Sequence, residues 1–187
     1  MAEIACTPGQ TVGPFLDLGL PYPGDSDLVN DDHPHAVRLH GTVYDGAGDG
    51  VPDALIEVWQ PDGAGRIPRQ AGSLRRDTAV FTGWGRCATD AAGHYTFTTV
   101  APGSASAGRP PFFALAVFAR GLLDRLFTRA YLPDAEVSGD PLLTSLDAER
   151  RATLLCDAES GCGQYLFDIH LQGPRETVFL AYRDGAR

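Results

Sequence analysis

The chain has 187 residues, a formal net charge of −9, a calculated pI near 4.8 and 43% hydrophobic residues. This length is enough for one domain with a sizeable core, and the hydrophobic fraction excludes a disordered chain. The acidic balance argues against nonspecific nucleic-acid binding, which needs Lys and Arg to displace counterions, and it would repel an anionic substrate unless a local cation attracted it.

Residues 1–36 are interrupted by five prolines and contain a polar stretch at 25–32. Proline lacks a backbone N–H and fixes φ, so this segment cannot form a central strand or a long helix. The pattern predicts an extended N-terminal arm over residues 1–36 that lies on another surface, followed by one domain over residues 37–187.

From residue 37 onwards, short alternating or apolar runs are separated by turns rich in Gly, Asp and Pro. Eight strands are predicted, at 37–44, 54–60, 85–89, 94–100, 112–118, 126–132, 164–171 and 177–182. One short helix is predicted at about 146–155, capped by Thr144 or Ser145. Short strands with such turns indicate a mainly β fold, an antiparallel β-sandwich, with Trp59, Tyr44, Tyr95 and Phe97 at core spacing.

The N-terminal residues and the cysteines predict an intracellular protein. Residues 1–6 show no basic run followed by an apolar core, so no secretory signal is expected, and no apolar stretch approaches the ~20 residues of a membrane span. We therefore expect a cytoplasmic protein without membrane contact and with free thiols. A disulfide between Cys156 and Cys162 across Gly161 stays open.

Three segments carry a resemblance to a known family: GTVYDGAGDGVPDALIEVWQPDGAGR (41–66), TDAAGHYTFTTVAPG (89–103) and RPPFFALAVFARG (109–121). Each is weak alone, but in this order they resemble the intradiol ring-cleavage dioxygenases. The resemblance runs from Thr11 to about Tyr182 and implies a prealbumin-like sandwich.

Catalytic members of that family hold Fe(III) through two tyrosines and two histidines, since anionic phenolates and imidazoles suit a ferric ion. At the matching positions this chain carries hydrocarbon side chains: Ile67 after Gly65-Arg66, Ala105 after Pro102-Gly103, and Phe112 and Ala114 after Arg109-Pro110. The resemblance therefore implies that this chain binds no metal and supplies no catalytic residue.

The pattern is similar to that of the iron-free subunit in two-chain members of the family. It implies a homologous iron-binding beta subunit as partner, with Fe(III) held by that subunit. It further implies that the complex cleaves protocatechuate (3,4-dihydroxybenzoate) with O2 to 3-carboxy-cis,cis-muconate, in the β-ketoadipate pathway.

The same resemblance implies four substrate-pocket residues in this chain. Thr11, Gly13 and Pro14 match arm residues that wall the substrate cavity, and Arg129 matches an arginine associated with the substrate carboxylate. A guanidinium pairs with a carboxylate in bidentate geometry, although a salt bridge at the subunit interface stays open for Arg129.

Two other functions stay open on the sequence. One is a complete homo-oligomeric dioxygenase for catechol or hydroxyquinol, against which the four missing ligands argue. The other is a noncatalytic prealbumin-like binding module. The His33-Pro34-His35 motif is interpreted as solvated because it lies in a proline-broken acidic loop, and Glu57 is predicted to form a structural ion pair if buried.

Overall fold

The computed structural model describes residues 10–13, 16–69, 80–159 and 163–181. Within them the chain forms nine strands: β1 (Ala36–Tyr44), β2 (Leu55–Trp59), β3 (Trp84–Ala88), β4 (His94–Val100), β5 (Phe112–Phe118), β6 (Leu126–Tyr131), β7 (Asp157–Ala158), β8 (Gln164–Leu166) and β9 (Ile169–His170). The mainly β prediction is confirmed.

The strands form two sheets. The first sheet has the order β4-β1-β8-β7, with β9 also pairing with β1, and the second sheet has the order β3-β2-β5-β6. All pairs of the second sheet are antiparallel, whereas β1 pairs in parallel with both β8 and β9. The first sheet is therefore mixed rather than purely antiparallel.

The larger of two hydrophobic clusters in the described residues lies between the sheets and forms the core. On β5, Phe113, Leu115 and Val117 are at most 2% exposed and join the core, so the period of two directs Phe112 and Ala114 to the outer face. Tyr95 and Phe97 of β4 are also buried in this core, as predicted.

The strand predicted at 164–171 divides into β8 and β9. Between them, a carboxylate oxygen of Asp168 accepts the backbone N–H of Thr42 at 2.9 Å, and the Phe167 carbonyl accepts the Tyr95 hydroxyl at 2.5 Å. These side-chain bonds replace regular ladder bonds, so the strand is interrupted.

The strand predicted at 177–182 is reduced to one isolated bridge between Phe127 and Leu180, with the Leu180 N–H donating to the Phe127 carbonyl at 2.7 Å. Thr177 instead bonds through its N–H and its hydroxyl to the backbone of His170. These contacts hold the segment close to β6 and β9 without forming a ladder.

The helix prediction was wrong in extent. Residues 141–155 contain two short helices, α2 (Pro141–Ser145) and α3 (Ala148–Ala152), after a 3₁₀ turn at Val137–Gly139. Leu146 is extended between the two helices, and the N-caps are Asp140 and Asp147 rather than Thr144 or Ser145. Each carboxylate accepts a backbone N–H in the first turn, which fixes the start of its helix.

The described part of the N-terminal segment is not extended throughout. It contains a short helix, α1 (Leu16–Gly19), and its second half packs on the sandwich. Leu28 and Val29 are 2% and 3% exposed, and the Leu28 N–H donates to the Thr98 carbonyl at 2.8 Å. Residues near 28 therefore belong to the core, although the sequence assigned them to the arm.

Two further sequence expectations concern the membrane and the thiols. None of the helices in the described residues is long and apolar enough to cross a bilayer. Cys156 is a buried free thiol whose pKa is raised to about 12, chiefly by burial, and Cys162 lies outside the described residues.

Candidate functional site

The four positions that match family metal ligands lie around one cavity of about 300 Å³ on the outer face of the second sheet. Ile67, Ala105, Phe112 and Ala114 all line it. The rest of the lining is Trp59, Gln60, Pro61, Pro68, Thr82, Gly83 and Trp84. Residues from two loops and three strands are thus brought together in this cavity.

Strand register forms the floor of this cavity. Trp59 on β2 pairs with Trp84 on β3 and with Ala114 on β5, so the three side chains form one row. Because Ile56 and Val58 occupy the core side of β2, Trp59 points outward and is 54% exposed. The sequence-based placement of Trp59 in the core was wrong.

The next row of the same face carries an ion pair. Arg86 on β3 donates to Glu57 on β2 at 2.9 Å, and both side chains are mostly buried. The Arg86 guanidinium also lies 5.0 Å from the centre of the Trp84 ring. The predicted structural ion pair of Glu57 is confirmed, on the outer face beside the cavity.

Asp62 positions the loop that carries Ile67. Its Oδ1 accepts the backbone N–H groups of Ala64 and Arg66, each at 2.9 Å, and its Oδ2 accepts Nε of Arg66 at 2.8 Å. These hydrogen bonds, led by the one from the Arg66 backbone, hold the pKa of Asp62 below its ordinary value. The turn therefore presents Ile67, which is 69% exposed, at the rim of the cavity.

Glycines allow the loop that carries Ala105 to approach this turn. A Cβ on Gly103 would lie 2.5 Å from both the Gly63 carbonyl oxygen and the Gly65 nitrogen. Gly65 has φ of +80°, a conformation that L side chains rarely adopt. Ile67 and Ala105 therefore reach the same cavity because two loops meet backbone to backbone.

The side chains at the four positions do not fit a ferric ion. Isoleucine, alanine and phenylalanine offer no oxygen, nitrogen or sulfur donor to a metal. Among the residues that the structure describes, no group of three or more His, Cys, Asp or Glu side chains is arranged to hold a metal. No step of the chemistry is therefore assigned to a metal in this chain.

Arg129 lies beside the cavity, in a compact cluster. It pairs with Ala114 in the ladder, and its guanidinium lies 4.3 Å from the centre of the Phe112 ring. Its Nη1 donates to the Tyr131 hydroxyl at 3.0 Å and lies 3.4 Å from Oδ2 of Asp140. Arg129 thus takes part in an ion pair within its own chain.

Asp140 holds this cluster together and is 3% exposed. It caps α2 by accepting the Leu142 N–H at 2.7 Å, and it accepts the Tyr131 hydroxyl at 2.9 Å. Burial is the main reason that the pKa of Tyr131 is raised to about 12, so its hydroxyl stays protonated and donates to Asp140.

The arm residue Thr11 lies elsewhere. Its hydroxyl oxygen accepts the Gly121 N–H at 2.7 Å, next to Arg120, whose side chain is 56% exposed and forms an ion pair with Asp53. Arg129 pairs with Ala114, and about 13 Å of extended strand separates Ala114 from the end of β5 at Phe118, before Arg120. Thr11 and Arg129 are therefore not brought together.

Of the other arm residues, Gly13 is exposed with open space around it, and Pro14 lies outside the described residues. His33 and His35 are at least partly exposed, and no metal-binding group in the described residues includes them. Arg120 is the residue that the sequence analysis missed, although its motif, FARG, was part of the resemblance. The hydrogen bond between Thr11 and Gly121 places Arg120 next to Thr11 of the arm.

Comparisons with known proteins give consistent findings. A sequence model of a dioxygenase family, Dioxygenase_C, matches residues 22–173. The chain is 40% identical to the protocatechuate 3,4-dioxygenase alpha chain of Burkholderia cepacia, over 96% of this chain and 99% of that one. It is 37% identical to the beta chain from the same organism, over 86% of this chain and 76% of that one.

A solved structure shows the same fold. The dioxygenase domain of a dioxygenase carbohydrate-binding protein fusion from Streptomyces sp. SirexAA-E superposes with a TM-score of 0.62 at 26% identity. The match covers 89% of this chain and 98% of that domain. The two chains therefore share a fold over most of their length.

Proposed function

We propose, because this chain belongs to the intradiol ring-cleavage dioxygenase family, that it is the alpha-type subunit of a protocatechuate 3,4-dioxygenase. In this proposal a homologous beta-type subunit holds the Fe(III), and this chain completes the substrate pocket. The complex cleaves protocatechuate with O2 to 3-carboxy-cis,cis-muconate, so both oxygen atoms enter the product. The complex is cytoplasmic in this proposal.

One observation carries the proposal. The four positions at which catalytic relatives hold metal are hydrocarbon here, and all four converge on one cavity. This chain keeps the loops and strands of the site but has no metal donor there. That supports a complex in which one homologous subunit binds the metal and the other does not. The similarity to both an alpha chain and a beta chain of one organism supports the same division.

The arm is the part of this chain that we assign to the pocket of the partner. Thr11, Gly13 and Pro14 are proposed to form one wall of the substrate cavity. The arm, residues 1–36, is proposed to reach the partner, apart from the part near Leu28 that packs in the core of its own chain. Gly13 supports this role because it leaves the backbone open to close approach. The bond between Thr11 and the Gly121 N–H anchors the arm to its own chain at that point.

A cation is needed to hold an anionic substrate in an acidic protein. Arg129 is the arginine that the sequence resemblance proposed for the carboxylate. Arg120 is a second candidate, because it is the more exposed of the two and lies next to the residue that anchors the arm. The contacts of Thr11 favour Arg120 for the pocket of the partner.

Co-expression tests the proposed function. The chain is produced alone and together with a beta-type chain that carries two tyrosines and an H-x-H motif at the matching positions. We expect a stable complex that contains iron and consumes O2 in the presence of protocatechuate, and no stoichiometric iron in this chain alone.

The two other functions give different results. Stoichiometric iron and catechol cleavage by this chain alone would support the homo-oligomeric enzyme. A stable monomer that forms no complex and contributes to no ring cleavage would support the binding module.

A further inference from the structure

We propose that the cavity between Trp59, Ile67 and Phe112 binds a small aromatic carboxylate within this chain, without cleaving it. The inference goes beyond the proposed function, in which the substrate belongs to the partner subunit. It rests on the shape, lining and charge of a site that has no metal donors but still contains a cavity.

The cavity has the size and lining of a small ligand site. Its volume of about 300 Å³ lies at the lower end of the range for ligand pockets, roughly 300–1,000 Å³, which suits a single ring. The rings of Trp59 and Trp84 lie 5.8 Å apart and inclined at 51°, and with Ile67 they present a large apolar surface. An aromatic ring would cover this surface and remove it from water.

The polar lining gives little reason for a sugar-like or highly polar ligand. Gln60, a polar lining residue, already donates to the Val100 carbonyl at 2.8 Å and accepts the Thr99 hydroxyl at 2.7 Å. Its amide therefore holds two strands together rather than facing a ligand with unsatisfied groups. The recognition must come from the apolar rings and from a charge at one end.

That charge lies in an adjoining cavity of about 310 Å³, which shares Pro61, Ala105 and Phe112 with the first. Among the described residues, the charged ones that line the two cavities are Arg109, Arg129 and Asp140, two positive and one negative. In a chain with a net charge of −9, this local excess of positive charge favours an anion.

Arg129 has the geometry to bind a carboxylate. Within the described residues its hydrogen bonds all come from Nη1, to Tyr131 and Asp140. The edge formed by Nε and Nη2 is one of the two guanidinium edges that can pair bidentately with a carboxylate. The guanidinium stacks on Phe112, which lines both cavities, so Phe112 joins the cation to the apolar cavity.

The two tryptophans make the test direct. The chain contains only two, and both line this cavity, so the intrinsic fluorescence of the full chain reports on it. Titration with 4-fluorobenzoate should quench this fluorescence saturably and broaden the fluorine resonance of the ligand. The neutral isostere 4-fluorobenzamide should bind about tenfold more weakly, because it cannot form the charged pair.

Two variants and one control locate the binding. Ala114→Phe fills the cavity from the floor, and Arg129→Gln removes the charge, so each should weaken binding about tenfold or more. Ala47→Phe adds the same ring at an exposed turn and should bind like the unmodified chain. Circular dichroism of each variant verifies that the sandwich is intact.

The same comparison in the co-expressed complex covers the case in which the chain needs its partner to fold. Equilibrium dialysis should show one fewer bound 4-fluorobenzoate per chain in the Ala114→Phe complex. Equal binding by the unmodified and Ala114→Phe complexes overturns the proposal, and so does unchanged fluorescence quenching in Ala114→Phe. Equal binding is also the result expected if a segment of the partner fills the cavity. Loss of ring cleavage bears on the proposed function instead, so the two failures are distinguishable.

Discussion

An arginine lies near each end of β5, and the two arginines differ in exposure and in contacts. At the start of the strand, Arg129 is held by Asp140 and Tyr131 and stacks on Phe112. Beyond the other end, Arg120 is more than half exposed, and its neighbour Gly121 holds Thr11 of the arm. Both arginines form an ion pair within their own chain, but the Arg120 side chain is the more exposed of the two and adjoins the segment proposed to reach a partner.

The sequence resemblance placed carboxylate binding by Arg129 and the pocket wall of the arm in one site, and this difference separates them. The resemblance assigned Arg129 and the arm to one pocket, but the strand places them at opposite ends. A chain that has lost its metal donors at one end can still present a cation and an arm at the other. The predictions that follow perturb one end while using the other, or a neighbouring element, as the control.

The largest effect is expected at the buried cluster. Asp140→Ala removes the α2 cap and the acceptor for Tyr131 and leaves Arg129 without its ion pair. We expect the free energy of unfolding to fall by about 3 kcal/mol. The measurement is urea denaturation followed by circular dichroism.

The matched control for this cluster is Asp147→Ala, at the N-cap of α3. Its carboxylate accepts the Arg150 N–H at 2.8 Å and is exposed, so its loss should cost about 1 kcal/mol. Equal losses in the two variants would mean that the cluster contributes nothing beyond its capping bond.

The next effect is expected where the two loops meet. Gly103→Ala introduces a Cβ that collides with the backbone of Gly63 and Gly65, at a cost of about 2 kcal/mol. Gly63→Ala meets only the Ala101 carbonyl at 3.6 Å and should be nearly neutral. Thermal unfolding of the two variants measures this, and similar melting temperatures would contradict the close approach.

The comparison of the two arginines is kinetic. In the co-expressed complex, Arg120→Ala should raise KM for protocatechuate about tenfold and change KM for catechol little, because catechol has no carboxylate. The hypothesis from the sequence expects this pattern from Arg129→Ala instead. Steady-state O2 uptake with both substrates decides between them, and equal changes for the two substrates would contradict direct contact by either arginine.

The smallest effect is expected at the turn before Ile67. The folded pKa of Asp62 lies below its ordinary value, so its ionised form stabilises the folded chain above the unfolded pKa. This contribution is lost as the pH falls through the folded pKa. Asp62→Asn should therefore flatten the acid limb of a stability profile against pH, with little change in its slope near neutrality.

The sequence predicted most of the strands and the chemistry of the four positions that match metal ligands. Strands 94–100 and 112–118 agree with β4 and β5 because their alternation and their Gly and Pro turns are local signals. The prediction failed where a distant side chain intervened, as when Asp168 interrupts the strand predicted at 164–171 by accepting the Thr42 N–H. It also failed for Trp59, because hydrophobicity alone does not say which face of a strand meets the core.

By itself, the sequence determined that this chain has a β-sandwich and hydrocarbon side chains at the four ligand positions, since both follow from residue types and their order. Only the tertiary structure decided that those four positions enclose one cavity and that Thr11 lies with Arg120 rather than with Arg129. The physical reason is that strand register and loop contacts join residues far apart in the chain, and no local pattern encodes such distances.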